Sequence, residues 1–152
     1  MFYEQKVLLK NIEVLKVINS FHDKSFVKFL IILQPVKIIS WDGIEDGKEA
    51  VFKFWLFGWK TMKVVHKGYI NRDQYLSFED KGIEIPFGLS TWNHHHIVET
   101  QKNNVVIIDR VTMTSHGLIK SYLIYPIMIF PIFIRKVLYR IWFYRMKNIQ
   151  QT

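Results

Sequence analysis

The sequence predicts an α+β fold in which a curved antiparallel sheet of about seven strands wraps around a long C-terminal helix, with two short helices after the first strand. Three observations predict it. Apolar and polar residues alternate in successive runs between positions 36 and 114, the breaks between these runs are short, and a helical pattern begins after Gly117. Short breaks containing Gly, Asn or Asp favour antiparallel hairpins over the crossovers of parallel sheets.

The composition sets the class of protein. The 152 residues fit a single domain, 1–152, and the absence of cysteine excludes disulfides, thiol nucleophiles and thiolate metal sites. Hydrophobic residues make up 49% and charged residues 22%, which excludes an intrinsically disordered chain. The N-terminus shows no secretory signal, so we expect a cytoplasmic protein.

The bounds of the strands and short helices are predicted from helix-capping residues and from the breaks between alternating runs. Phe2–Leu9 is predicted as the first strand. Asn11 is predicted to cap a helix that runs through Ser20, and Asp23 a second helix that runs to about Leu33. The remaining strands are predicted over residues 36–42, 48–57, 59–70, 73–80, 90–99 and 104–114.

The long helix is predicted over Phe133–Asn148, with Pro131 suited to its first turn. Its apolar stripe is predicted to contain Ile134, Val137, Leu138 and Ile141. Because this helix is the element long enough to cover the apolar face of the sheet, we expect a cavity between the two.

The net charge of +8 is concentrated near the C-terminus, since residues 111–152 carry six Lys or Arg and no acid. Between Lys120 and Arg135 the chain is uncharged and contains two prolines, too short for a bilayer span of about 20 residues. We expect this segment to be core or a cavity lid. Peripheral contact of residues 118–147 with an anionic membrane, and a simple solvated helix face, stay open as alternatives. We find no nucleic-acid-binding motif and expect no nucleic-acid partner and no cofactor.

The most distinctive local feature is the run of three histidines, His94–His96. On a strand, His94 and His96 point to one face and the middle histidine to the other. A hairpin turn at Lys102–Asn103 would place Asp109 opposite His96. Two imidazoles and a carboxylate are therefore predicted to converge on the concave face of the sheet.

Three interpretations of this group remain open. His94, His96 and Asp109 have the chemistry of zinc or iron ligands. His96 oriented by Asp109 could serve as a general acid and base. The interpretation we favour is a polar patch on the cavity wall, which assigns no metal and no catalytic residue.

Aromatic residues make up 16% of the chain, more than a small core usually requires. As a group they predict a pocket for a flat or long apolar molecule. The residues predicted to line it are Trp55, Phe57, Phe78, Trp92, His94, His96, Asp109, Tyr122, Leu138 and Ile141.

Several short motifs carry a family resemblance along nearly the whole chain. They are Pro35-Val36, Pro86-Phe87, the Trp92-x-His94-x-His96 pattern, Asp109 before Val111, Gly117, and Phe143-Tyr144-Arg145. With this order of elements, the chain resembles the helix-grip fold of the START-related SRPBCC superfamily, in particular its small bacterial stand-alone members, described as ligand-binding or polyketide cyclase/dehydrase-like. At the step where members often have an aromatic-x-Asp sequence, this chain has Leu76-Ser77-Phe78, so the resemblance assigns no carboxylate there.

The resemblance implies a cavity that binds a hydrophobic small molecule, such as a lipid, a sterol-like compound, a quinone or a polyketide-type compound. It does not imply catalysis, because the fold supports both carriers and enzymes. We therefore predict ligand binding or sequestration. A cyclase or dehydratase using His96 and Asp109, and a membrane- or partner-binding module, stay as alternatives.

Overall fold

The computed structural model describes residues 1–56, 58–115 and 117–149. Seven strands and four helices form in this part of the chain. In sequence order they are β1 (Phe2–Leu9), α1 (Val14–Phe21), α2 (Lys24–Phe29), β2 (Val36–Trp41), β3 (Glu49–Trp55), β4 (Trp59–Arg72), β5 (Tyr75–Glu84), β6 (Leu89–Gln101), β7 (Asn104–Ser115), α3 (Leu118–Phe133) and α4 (Arg135–Ile149).

The seven strands form one antiparallel sheet in the order β1-β7-β6-β5-β4-β3-β2. Strands β2 to β7 are joined in sequence by hairpins, as the short breaks predict. Strand β1 pairs with β7 instead, with Phe2 opposite Thr112 and Leu9 opposite Val105. The predicted α+β class, the strand number and the two short helices are confirmed.

The two short helices begin at different kinds of residue. The Asp23 carboxylate accepts a hydrogen bond from the backbone N–H of Ser25 at 2.8 Å, so the predicted cap of α2 is confirmed. The predicted cap of α1 is wrong: α1 is preceded by Glu13, whose side chain makes no capping bond. Asn11 lies in the turn after β1 with φ of 56°, a conformation that asparagine tolerates better than most residues. Helix α2 also ends at Phe29, before the predicted Leu33.

The predicted long C-terminal helix is confirmed as α4, which begins at Arg135 rather than Phe133, and a second long helix, α3, precedes it. Helix α3 begins at Leu118 and includes both Pro126 and Pro131, and α4 begins at Arg135 after a break at Ile134. Proline lacks the N–H that a helix interior uses and crowds the preceding turn. The uncharged segment thus forms a helix over the sheet, with Ile124, Met128 and Ile132 buried among the core residues of β4, β6 and β7.

The buried face of α4 differs from the predicted stripe. Leu138 is buried as predicted, but its neighbours in the core are Tyr139 and Phe143, whereas Val137 and Ile141 are exposed. Tyr139 and Phe143 contact the ring of Phe26 from α2, so rotating α4 in this way buries two large aromatic side chains.

Candidate functional site

A group of polar side chains lies on the concave face of the sheet, where apolar residues would be expected. Alternation along the strands turns these residues inward, and α4 adds two more from the opposite side. The group consists of Gln5 (β1), His66 (β4), Asp80 (β5), His94 and His96 (β6), Asp109 (β7), and Arg135 and Tyr139 (α4).

The hairpin between β6 and β7 sets the register of the site. Lys102 and Asn103 form its two-residue turn, with φ of 46° and 63°, which is the geometry of the tight turns that hairpins prefer. In this register His96 lies directly opposite Asp109. The predicted convergence of His94, His96 and Asp109 on the concave face is confirmed.

Asp109 is completely buried and is the main acceptor of the group. Its carboxylate lies 3.0 Å from His94 Nε2 and accepts hydrogen bonds from Gln5 Nε2 at 2.8 Å and the Tyr139 hydroxyl at 3.3 Å. The Gln5 amide also donates to the carbonyl of Ile132 at 2.7 Å, which ties the end of α3 to the first strand. Gln5 was missed in the sequence, although it alternates with Val7 and Leu9 on the buried face of β1.

Asp80 is the second carboxylate of the site, and it too was missed. Its oxygens lie 3.1 Å from His66 Nε2 and 3.1 Å from His96 Nε2, and 3.9 Å from His94 Nδ1. The signal was present: Phe78-Glu79-Asp80 is an aromatic-x-Asp step, two residues after the position assigned in the resemblance. Its alternation with Phe78 also places it on the inner face of β5.

The two carboxylates are ionised despite their burial. Burial alone would raise the pKa of Asp80, but the imidazoles of His96 and His66 outweigh it and hold that pKa well below 3.8. Burial would likewise raise the pKa of Asp109, and hydrogen bonds with His94 and His96 lower it well below the same value.

The two histidines of β6 in this site differ in protonation. Burial, together with the neighbouring charge of His96, lowers the pKa of His94 from 6.5 to about 4, so His94 is neutral near pH 7. Burial would also lower the pKa of His96, but Asp80 and Asp109 on either side raise it above 6.5. The rings are only 3.8 Å apart between centroids, so they compete for one proton.

Helix α4 supplies a guanidinium and a phenol. Burial would lower the pKa of Arg135, but Tyr139, Asp109 and Asp80 raise it, so the guanidinium is charged. Burial beside Asp109 raises the pKa of Tyr139 well above 10, so its hydroxyl keeps its proton. The sequence places Arg135 in the basic, solvated C-terminal region, whereas the structure uses it inside to offset the two carboxylates.

Two small cavities lie between this polar group and the helices. The first has about 50 Å³ of space open to the centres of water molecules, and the second about 40 Å³. Asp80, Arg135 and Phe52 line both; His94 and Trp92 border the first, His96 and Phe78 the second. The rest of the first wall is mostly apolar, from β2–β4, α3 and the residues after α2: Ile31, Gln34, Val36, Phe54, Met62, Val64, Met128, Pro131 and Ile132.

A larger groove of about 370 Å³ lies between α3 and the edge of the sheet. It has three wall residues in common with the first cavity, namely Val36, Phe54 and Pro131. The remaining wall is entirely apolar and includes Trp55 and Phe130.

The structure places only some of the predicted pocket residues at the two cavities. Phe78, Trp92, His94 and His96 line the cavities, and Asp109 lies directly behind the two imidazoles. Trp55 lies in the outer groove, and Leu138 is buried in the core but lines neither cavity. Tyr122 is 73% exposed and Ile141 39% exposed, so the structure does not bring these two to the cavity. Phe57 lies outside the described residues.

Comparisons with solved structures place this architecture among known folds. The chain is similar to the hypothetical protein jhp0584 from Helicobacter pylori (18% identity, TM-score 0.57, 76% of this chain and 70% of that one). It is also similar to norcoclaurine synthase from Thalictrum flavum, solved in complex with dopamine and hydroxybenzaldehyde (14% identity, TM-score 0.56, 84% and 76%). A third similar structure is major latex-like protein 151 from Panax ginseng (11% identity, TM-score 0.53, 91% and 96%).

The fold is the helix-grip fold. No family model matches the sequence, and no curated protein matches it. At these identities the helix-grip structures share an architecture with this chain and nothing further is carried over from them.

Proposed function

We propose that the protein binds a small amphipathic molecule, with its apolar body in the groove beside α3 and its polar end in the first cavity. The observation that carries the proposal is a set of buried polar atoms without partners in the protein. Gln34 Oε1 and Arg135 Nε both belong to residues that line the first cavity, and neither atom has a hydrogen-bond partner among the described residues. Buried polar atoms in native proteins are almost always paired, so a bound group is expected to complete them.

The apolar part of the proposal rests on the walls. Ten of the fourteen residues around the first cavity are apolar, and so are all those around the groove. Burying apolar surface contributes roughly 25 cal/mol per Å² removed from water, which favours a ligand that fills the groove. The small inner cavity of about 50 Å³ holds only a head group, so the bulk of the ligand must lie between α3 and β2. A lipid, a quinone or a polyketide-type compound with one polar end has this shape.

The binding prediction is tested with 1-anilinonaphthalene-8-sulfonate, an aromatic probe with one anionic group. The wild-type protein is expected to bind it saturably, with a rise in probe fluorescence. Val36→Phe, which adds bulk to the wall shared by groove and cavity, is expected to weaken binding by about tenfold or more, because about 1.4 kcal/mol of lost burial is a factor of ten. Val51→Phe is the matched control, since Val51 lies on the other face of the adjacent strand.

Native mass spectrometry of gently purified protein provides the second readout. A co-purifying small molecule, lost after organic extraction and absent from Val36→Phe, would support the proposal. Non-saturable probe fluorescence, or equal affinity in the wild type and Val36→Phe, would overturn it.

A peripheral membrane role is favoured by a separate observation, an exposed apolar stripe on α3 and α4. Leu123, Ile127, Phe130, Val137 and Ile141 recur every three or four residues within each helix and are all at least 36% exposed. The helical segment Tyr122–Arg145 would also be long and apolar enough to cross a bilayer by length and composition alone, and 33% of its apolar window is buried in the protein.

Charge complementarity points to an anionic lipid surface as the occupant of this stripe. Arg140 and Arg145 are exposed on α4, and Lys136 lies 5.2 Å from the ring of Phe133. Apolar residues beside cations are typical of helices that lie in the plane of an anionic membrane.

The membrane prediction is tested by vesicle flotation. We expect the protein to float with vesicles of phosphatidylcholine and phosphatidylglycerol at low salt and to detach at high salt, because salt screens the surface charges. The double variant Leu123→Asp/Phe130→Asp is expected to lose flotation, and Leu15→Asp, at an equally exposed position on α1, to keep it. Flotation that is the same with and without anionic lipid, and the same in the wild type and the double variant, would contradict this role.

A further inference from the structure

The imidazoles of His94 and His96 are each held between two carboxylates. His94 Nε2 and His96 Nδ1 lie 3.0 and 3.1 Å from Asp109 Oδ1, while His94 Nδ1 and His96 Nε2 face Asp80. Both rings therefore present their second nitrogen to the same carboxylate. Two adjacent imidazoles and one carboxylate aimed at one point form a common transition-metal ligand set.

We propose that Asp80, His94 and His96 bind a divalent transition-metal ion, for which Zn²⁺ is the test ion. This inference goes beyond the proposed function. The three ligand atoms lie within 4.8 Å of one another. Ligands at the 2.0–2.1 Å bond lengths of a tetrahedral zinc site are about 3.3 Å apart. The separation of 3.1 Å between Asp80 and His96 already meets this value, and the 3.9 Å between Asp80 and His94 requires a shift of about half an ångström.

The hydrogen bonding of His94 gives the second argument. The Asp109 carboxylate can only accept, so His94 Nε2 must carry the proton that it donates. In the neutral ring, Nδ1 then carries a lone pair and faces Asp80 Oδ2, which is also an acceptor, at 3.9 Å. Asp80 Oδ2 also lies 3.1 Å from His96 Nε2, so a divalent ion bound between these atoms would replace the proton that His96 shares with Asp80.

The residues behind the ligands complete the arrangement. Metal-binding histidines usually donate their other N–H to a carboxylate, which fixes the ring and its tautomer. Asp109 takes this position for His94 and lies at nearly the same distance from His96, and it is itself held by Gln5 and Tyr139. On the other side, His66 Nε2 lies 3.1 Å from Asp80. Asp109 thus supports His94 through a hydrogen bond, whereas Asp109 beside His96 and His66 beside Asp80 lie at 3.1 Å without hydrogen-bond geometry.

The charges define what the site would present to a ligand. Once His96 has lost its proton to become a ligand, an ion of charge +2 together with Arg135 outweighs the two carboxylates by one positive charge. Asp80, His94 and Arg135 all line the first cavity. An open coordination position facing that cavity would therefore take an anionic or neutral oxygen donor.

The test is titration of chelator-treated, metal-free protein with Zn²⁺ by calorimetry, and with Co²⁺ by visible absorption. We expect one ion per chain and the d–d bands of a low-coordinate Co²⁺ site with nitrogen and oxygen ligands. His94→Ala and Asp80→Asn are expected to weaken binding by about 100-fold or more, and Asp109→Asn, which removes a supporting partner, by about 10–100-fold. His95→Ala is the matched control, because its ring lies on the opposite face of β6 against Ser77.

Circular dichroism of each variant separates lost binding from lost folding. A wild-type protein that binds no Zn²⁺ or Co²⁺ stoichiometrically overturns the proposal regardless of the variants. Binding retained in both His94→Ala and Asp80→Asn overturns it as well, since the ion then lies elsewhere. Because no organic molecule is used, failure of metal binding leaves the probe-binding result of the proposed function intact.

Discussion

Replacement of Asp109 by Ala is expected to lower the free energy of unfolding by about 3–5 kcal/mol, the usual cost of removing one partner of a buried ion pair. Asp109 is completely buried and faces His94, His96, Gln5 and Tyr139. Without it, the charge of His96 loses one of its two counterions and the other groups lose their common acceptor. Chemical unfolding in urea, followed by tryptophan fluorescence, measures the change.

Two further variants serve as references for the loss of stability in Asp109→Ala. Asp109→Asn keeps the shape and one carbonyl acceptor, so it is expected to cost less than Asp109→Ala. Asp73→Ala changes an exposed carboxylate in the turn between β4 and β5 and is expected to stay within about 0.5 kcal/mol of the wild type. A loss below about 1 kcal/mol for Asp109→Ala would show that the buried group does not depend on this carboxylate.

The stability of the metal-free protein is expected to fall by up to about 3 kcal/mol as the pH is lowered from 6.5 to 4. His94 has a pKa of about 4 in the folded chain and 6.5 when unfolded. Between these values the unfolded chain binds a proton that the folded chain does not, so acid favours unfolding. The difference of about 2.5 pKa units, at 1.36 kcal/mol each, sets the magnitude.

The other groups facing His94 act in different pH ranges. The raised pKa of His96 adds stability that is lost only as the pH rises above 6.5 through that pKa. The lowered pKa values of Asp80 and Asp109 add stability that is lost only as the pH falls below 3.8. Arg135 and Tyr139, with raised pKa values, keep their protons throughout this range.

Urea unfolding across this pH range, with chelator present, provides the measurement. In His94→Gln the free energy of unfolding is expected to fall much less between pH 6.5 and 4 than in the wild type. His95 has a lowered pKa, from burial, and shifts stability in the same direction, so His95→Gln is the comparison variant. An unchanged slope in His94→Gln would assign the effect to other groups.

The sheet and its register could be predicted from the sequence because local signals define them. Alternation assigns each strand a buried face, and the turn at Lys102–Asn103 pairs His96 with Asp109. The same alternation pointed to Asp80 and His66, which follow Phe78 on β5 and Val64 on β4 at a spacing of two. They were missed because a charged or ionisable residue in a strand is ordinarily assigned to solvent.

The orientation of the C-terminal helices could not be predicted in this way. From Tyr122 to Phe133 the residues of α3 are uncharged on every side, so helical periodicity does not select one face there, and α4 begins with the cations Arg135 and Lys136, which a sequence pattern assigns to solvent. The orientation of α4 is set by its contacts with α2 and the sheet. Phe26 of α2 packs against Tyr139 and Phe143, and the charge of Arg135 offsets the carboxylates of Asp80 and Asp109. These partners lie far apart in sequence, and no local pattern relates them.

The pairing of β1 with β7 also dictates when the protein can fold. The amino-terminal nitrogen donates to the carbonyl of Met113, 112 positions further along the chain. At the roughly 5–20 residues per second of ribosomal synthesis, the first strand leaves the exit tunnel on the order of ten seconds before its partner exists. The apolar strand β1 of the nascent chain must therefore stay unpaired until β7 has been synthesised, and its buried face is open to aggregation in that interval.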